Sequence, residues 1–277
     1  MGKHHREPFA SRHESRVSSP FHLVHSDIWG PINTLSLLGF RYFVIFINDY
    51  SRVTYLYLMK EQSKLYSSFK SFYMEIMTQF NASLHIFRSD TAHEYFHTSL
   101  SQFFDDHGII HQSSCPHTPQ QNGVVECKMH HLLEVTHALK FHMHVPKSYW
   151  SDDVLTACHL INRIPSTIIG GQIVYTVLSP DAPLFHLPSK IFGCVCYVHI
   201  LGPRSDKLDP RSIKCVFLGY SRTQKGYRCY SPTFQHRFIS ANVTFNESQS
   251  YFSPSVASDS SPPCLPLLPL VSPIESP

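Results

Sequence analysis

Charge is what this sequence has least of. Only 16% of its 277 residues are Asp, Glu, Lys or Arg, while 42% are hydrophobic and 13% aromatic. Average soluble chains carry roughly a quarter charged residues, so a chain this apolar and aromatic excludes global disorder. Long hydrophobic runs are also missing. The longest tract, Phe43 to Ile47, is strand-sized and falls far short of the ~18 residues a membrane span needs, so no membrane partner is expected. The first twenty residues hold Lys3, Arg6, Arg12 and Arg16 but no apolar segment, so no secretory signal is expected. The eight cysteines are therefore expected in an intracellular, reduced protein, mostly as small buried apolar residues. Matched metal-ligand spacings are absent too: twenty histidines and eight cysteines contain no C-x2-C or H-x3–5-H pair matched to another. Cys194 and Cys196 share one strand face, and Cys115 and Cys127 have no base placed to activate them.

What charge there is lies unevenly. Residues 21–164 carry ten Lys/Arg against twelve Asp/Glu, a net of −2. Residues 190–237 carry nine Lys/Arg against only Asp206 and Asp209, a net of +7, with Tyr197, Tyr220, Tyr227 and Tyr230 interspersed. A basic, aromatic module points to a polyanion, nucleic acid first; the alternative is a solvated basic surface without a ligand. Candidate nucleic-acid contacts are Asn122, Lys128, Arg204, Lys207, Arg211, Arg222, Lys225 and Arg228.

Residues 1–20 read as a basic linker. Phe21–Asp27, Phe40–Asp49 and Val53–Met59 are strand-like, rich in aromatic and β-branched residues, and a turn at Asp49-Tyr50-Ser51-Arg52 makes an antiparallel meander. Leu65, Phe69, Phe72, Tyr73, Ile76 and Phe80 then fall at helical spacing. A strand over Leu84–Asp90, a helix over Ser99–His107 and a short strand at Ile109–His111 follow. Helices are expected over Gly123–His142 and Lys147–Asn162. The order β-β-β-α-β-α-β-α-α over 21–164 is an α/β domain with a mixed, five-stranded sheet. Residues 165–189 read as a linker. Short strands at Gly193–Ile200, Ser212–Tyr220, Gly226–Ser231 and Gln235–Ser240 place a small β-barrel within 190–245. The Pro- and Ser-rich remainder, 246–277, reads as a disordered tail.

Three carboxylates stand where ligands bind in α/β sheets: Asp27 and Asp90 closing strands, and Glu126 in the first turn of a helix. Singly, each is commonly a turn former or a partner for the helix dipole. Brought together they repel unless a cation holds them. Such oxygen ligands suit Mg²⁺ or Mn²⁺, and a pair of ions can clamp the attacking and leaving oxygens of a phosphodiester.

Thirty-five residues separate Asp90 from Glu126, Asp27 precedes Trp29-Gly30-Pro31, and Thr118 to Glu126 reads TPQQNGVVE. With YFVIFINDYSR (Tyr42–Arg52), LTACHLINRIP (Leu155–Pro165), FGCVCYV (Phe192–Val198) and KCVFLGYSRTQKG (Lys214–Gly226), the chain resembles the integrase region of copia-type LTR retrotransposon Pol polyproteins over roughly residues 20–245. The resemblance implies an RNase H-like catalytic core followed by an SH3-like β-barrel. It further implies that Asp27, Asp90 and Glu126 are the metal-binding acidic triad for two Mg²⁺ or Mn²⁺ ions. The implied reaction is polynucleotidyl transfer, 3′-end processing then strand transfer, with element ends and target DNA as partners, room for a homo-oligomer, and a nuclear site of action.

Departures from that family are specific. Thr91-Ala92-His93 stand where Asn-Gly-Gly is usual, Cys127 replaces an Arg, and Asn48 replaces a common Asp. Gly2-Lys3-His4-His5 resemble the segment just after the family's zinc-binding module, and no reverse transcriptase follows the tail, so the chain reads as a fragment or decayed copy with its triad kept. Two readings follow: an active integrase region, and a catalytically inert, transposon-derived nucleic-acid-binding remnant. An RNase H-like nuclease or resolvase of another family fits the fold but not the run of copia-like segments.

Overall fold

The protein is described from a computed structural model covering residues 16–115, 122–181, 183–199 and 210–252. Three strands begin it: β1 (Leu23–Trp29), β2 (Tyr42–Asn48) and β3 (Thr54–Met59). Arg52, in the left-handed region at φ 65°, turns the chain between β2 and β3. Asn48 pins that turn: its Oδ1 accepts the N–H groups of Phe21 and Tyr50, and its Nδ2 donates to Ser51 Oγ. An amide can both accept and donate here, which a carboxylate cannot.

A 3-10 turn at Gln62–Lys64 leads into α1 (Leu65–Phe80), which ends at Asn81 in a left-handed conformation. Next come β4 (Ile86–Ser89), α2 (Thr98–His107), β5 (Ile110–Ser113), α3 (Gly123–His142) and α4 (Trp150–Ile161). The sheet order is β3-β2-β1-β4-β5. β1–β2 and β2–β3 run antiparallel, β1–β4 and β4–β5 parallel. Alternation along the strands divides the side chains between two faces. Val24, Val44, Phe46 and Phe87 pack on Phe69, Phe72 and Ile76 of α1 and on Leu100 and Phe104 of α2. Phe43, Ile45, Ile47 and Leu56 pack on Val125, Met129 and Leu132 of α3 and on Trp150, Val154 and Ile161 of α4. The result is three layers, with helices over both faces of a mixed sheet.

The stretch 165–189, expected as a linker, carries structure. β6 (Pro165–Ser166) pairs with β7 (Gln172–Ile173), and α5 (Val174–Leu178) follows. Ile169, Val174 and Leu178 are buried in the core on the α1 side. Two-residue strands and a five-residue helix are too short for periodicity to register.

The second domain is a five-stranded antiparallel sheet: β8 (Cys194–His199), β9 (Ser212–Tyr220), β10 (Tyr227–Ser231), β11 (His236–Ser240) and β12 (Val243–Ser250), in the order β11-β10-β9-β8-β12. β12 extends into the stretch expected as a disordered tail. It pairs antiparallel with β8, and Val243 and Phe245 face the core while Thr244 and Asn246 face water. Cys194, Cys196, Cys215 and Cys229 are all buried here as small apolar residues. The rest of the tail, from Ser253, lies outside the described residues, as do 1–15 of the N-terminal linker.

The two domains share packing. Met143, Val145 and Tyr149, in the corner between α3 and α4, join the core of the second sheet. Gly193, at φ 82°, allows this approach, because a side chain there would stand 2.7 Å from both Met143 Cβ and Val145 Cγ2. His159 of α4 stacks on Tyr220 of β9, centroids 4.4 Å apart, and Thr156 Oγ1 donates to the Leu218 carbonyl at 3.3 Å.

Candidate active site

The sheet register determines where the first two carboxylates go. On the parallel neighbours β1 and β4, His25 is opposite Arg88. Asp27 and Asp90 each lie two residues further on, so they emerge side by side at the same end of adjacent strands and on the same face. That face is the one covered by α3, since Asp27 pairs across with Ile45, which packs on α3 and α4. Glu126 is exposed in the first turn of α3.

Electrostatics links the three. Burial first, then the charges of Asp90 and Glu126, push the Asp27 carboxyl up to about 7, against a single N–H from Ile28 that favours the anion (2.9 Å). Asp90 is also raised, by burial and by Glu94, while the Ala92 N–H donates to its Oδ1 at 3.1 Å and partly offsets this. Asp27 therefore keeps its proton to near neutral pH.

Glu94 was not among the sequence candidates. It lies in the 3-10 turn His93–Phe96, which contains the unusual His93. Tyr95 beside it is fully buried, with its hydroxyl 2.8 Å from Ser26 Oγ. Burial, with Asp27, Asp90 and Glu94 adding to it, pushes that phenol well above its ordinary range, so it stays neutral. Two residues before Asp27, buried His25 places Nε2 3.0 Å from Asp49 Oδ1, and Arg52 Nη1 meets the same oxygen at 3.1 Å. Burial opposes ionisation of Asp49, but His25, the Val17 N–H and Arg52 outweigh it and hold its carboxyl below the ordinary value. Only spacing along β1 could have hinted at His25; Asp49 and Arg52 join it through the β2–β3 turn.

The candidate nucleic-acid residues fare differently. Asn122 is buried at the start of α3, and its Oδ1 has no hydrogen-bond partner among the described residues. Lys128 is half-buried, and burial lowers its ammonium. Exposed Arg222 and half-buried Arg228 each engage a carboxylate of the first domain. Arg222 Nη2 contacts both Glu75 oxygens (2.8 and 2.7 Å), and Arg228 Nη1 is 3.5 Å from Asp152. Arg211 and Lys225 are exposed, whereas Arg204 and Lys207 lie outside the described residues. A cleft of about 390 Å³ runs along the far half of α3, lined by Val135, Leu139, His142 and Phe192, away from the carboxylates at its start.

Among the described residues, no three His, Cys, Asp or Glu side chains are gathered closely enough to hold a metal ion as they stand. The donor chemistry nevertheless suits a hard divalent cation. Burial first, and acidic neighbours after it, raise both Asp27 and Asp90, and a cation between them would favour their charged forms.

A family model of the retroviral polymerase SH3-like domain matches residues 194–259, the second sheet and a little beyond. The Pol polyprotein of transposon TNT 1-94 from Nicotiana tabacum is 34% identical over 250 residues, covering 90% of this chain and 19% of its own length. The chain is related to retrovirus-related Pol polyproteins. That of transposon RE1 from Arabidopsis thaliana is 35% identical over 250 residues, covering 89% and 16%. The chain thus spans less than a fifth of the Pol polyproteins it matches. In fold it is similar to a chain of the simian T-cell lymphotropic virus intasome solved in complex with PP2A regulatory subunit B56 gamma. The TM-score is 0.51 at 15% identity, covering 92% of this chain and 86% of that one. The chain thus has a mixed five-stranded sheet flanked by helices, similar in fold to that intasome chain, followed by a sheet that matches the SH3-like domain.

Proposed function

We propose that this Pol relative is the integrase region of a copia-type retrotransposon and joins DNA by metal-dependent polynucleotidyl transfer, trimming 3′ ends and then transferring strands. The observation that carries the reading is the register that brings Asp27 and Asp90 side by side at one end of adjacent strands, on the face covered by α3, whose first turn holds Glu126. These three residues would hold Mg²⁺ or Mn²⁺, one ion or two. Bound there, such ions activate an attacking hydroxyl and stabilise the leaving oxygen of a phosphodiester. The chain's own residues prepare the site. Asp27, which keeps a proton up to about pH 7, would release it on becoming a ligand, while the Ile28 N–H holds its Oδ1. The Ala92 N–H orients Asp90, and buried Tyr95 supports the floor through Ser26. DNA is the proposed partner, met through exposed cations such as Arg211 and Lys225, with a homo-oligomer as the working form.

The inert, nucleic-acid-binding remnant is the second reading. It is favoured by exposed Glu126 and by the lack of three gathered ligands among the described residues. A strand-transfer assay with Mn²⁺ and with Mg²⁺ separates them. Joined product, stronger with Mn²⁺ and abolished by Asp90→Asn, supports the integrase reading. Mn²⁺ binding without nicking or joining, in wild type and in the Ala92→Gly/His93→Gly variant alike, supports the remnant.

A further inference from the structure

The basic excess of the second domain has a partner within the chain. Arg237 grips Asp152 with a two-pronged fork, Nη1 to Oδ1 and Nη2 to Oδ2, both 2.9 Å. Arg228 reaches the same carboxylate at 3.5 Å and donates to the Leu218 carbonyl at 3.2 Å. Asp152 is 2% exposed, so this contact is withdrawn from water. At a second point, Glu75 of α1 takes both bonds from Arg222, while the Tyr57 hydroxyl donates to Glu75 Oε2 at 2.7 Å and its ring lies under the guanidinium at 5.3 Å. A carboxylate held by an arginine fork presents two oxygens in the geometry a phosphate would present.

We infer that Asp152 and Glu75 are built-in counter-anions, which dock the second domain on α4 and α1 and keep Arg222, Arg228 and Arg237 from external polyanions. Three of the nine cations that made residues 190–237 look like a nucleic-acid module are spent in this way, and Lys190 is paired with Glu247 at 2.7 Å. The polyanion affinity that remains belongs to exposed cations such as Arg211 and Lys225. The inference is independent of the catalytic reading, because it concerns only which positive charges are free.

The test uses the full chain and a labelled single-stranded oligonucleotide titrated over a salt series. Each cation that meets a phosphate on a single strand steepens the slope of log affinity against log salt by about 0.7. Glu75→Gln should tighten binding and steepen the slope by about one such step, and Asp152→Asn by one to two. Arg237→Gln should leave binding unchanged, whereas Lys225→Gln should weaken it. The exchange Glu75→Arg with Arg222→Glu should return the wild-type slope. Glu75→Gln tests the idea even if Asp152→Asn fails to fold, since that pair is more exposed. Unchanged binding in Glu75→Gln, or a loss in Arg237→Gln as large as in Lys225→Gln, overturns the inference.

Discussion

Two groups of aspartates in this molecule have opposite surroundings. At the end of β1 and β4, Asp27 and Asp90 face other acids, and burial leaves Asp27 holding a proton up to about pH 7. At the start of α4, Asp152 is more deeply buried yet receives two guanidinium groups from another domain. The difference is in the partner and not in the depth. An acid supplied with cations from its own chain is finished structure. Acids left facing one another repel, and the proton that Asp27 keeps up to about pH 7 relieves that repulsion.

Removing the finished partner should have the largest effect. Asp152→Ala leaves two guanidinium groups without a counter-charge in a withdrawn contact, which costs about 3–5 kcal/mol. Urea denaturation of the full chain measures it, and a loss under about 1 kcal/mol would show that the two aspartates differ less than their contacts suggest.

The next test offers these acids the cation that the integrase reading requires. Mn²⁺ at about a hundred times its dissociation constant should stabilise the protein by about 2.7 kcal/mol. Thermal melting should show the shift in wild type but not in the Asp27→Asn/Asp90→Asn variant. An equal shift in both would place the ion elsewhere.

A smaller effect comes from pH. The unfolded chain loses the Asp27 proton near pH 3.9, the folded chain near 7, so folding binds a proton between those values. Stability without metal should therefore fall as pH rises from about 4 through 7. Asp153 adds a similar loss up to about 8: it is wholly buried beside Asp152, and neither of its oxygens has a hydrogen-bond partner among the described residues. Asp27→Asn should remove the first part of this slope, gaining on the order of 1 kcal/mol at pH 8 and nothing at pH 4, after discounting for its half-buried position. A variant melting curve parallel to wild type at every pH would contradict the assignment.

The smallest change concerns the loop after Asp90. Ala92 has ordinary extended backbone angles, φ −62° and ψ 135°, so nothing in the turn demands glycine. Ala92→Gly should cost only about 0.4–1 kcal/mol, mainly by loosening the unfolded chain, and should leave the Mn²⁺ shift intact. Loss of that shift would mean that the loop holds Asp90 more tightly than its single 3.1 Å bond implies.

Much of the first domain was legible along the chain. Its helices are long enough for the period of Leu65 to Phe80 and of Val125 to Leu132 to stand out, and α3 has the expected bounds, Gly123–His142. Asp27 and Asp90 stood out because strand ends can be located from alternation. Glu94 did not, since its role arises from a 3-10 turn that folds it back toward Asp90. β12 was hidden because it pairs with β8 rather than with the strand before it.

The sequence by itself determined the order of the main elements of the first domain, the alternation that gives its strands two faces, and the position of Asp27 and Asp90 at strand ends. These follow from periodicity and chain order, which are local properties. Only the tertiary structure decided which charges are free. The +7 of residues 190–237 is correct as a count, but Glu75, 147 residues from Arg222, and Asp152, 85 residues from Arg237, cancel part of it. Coulomb interactions depend on distance in space and on local burial, and neither is written in the spacing of residues along the chain.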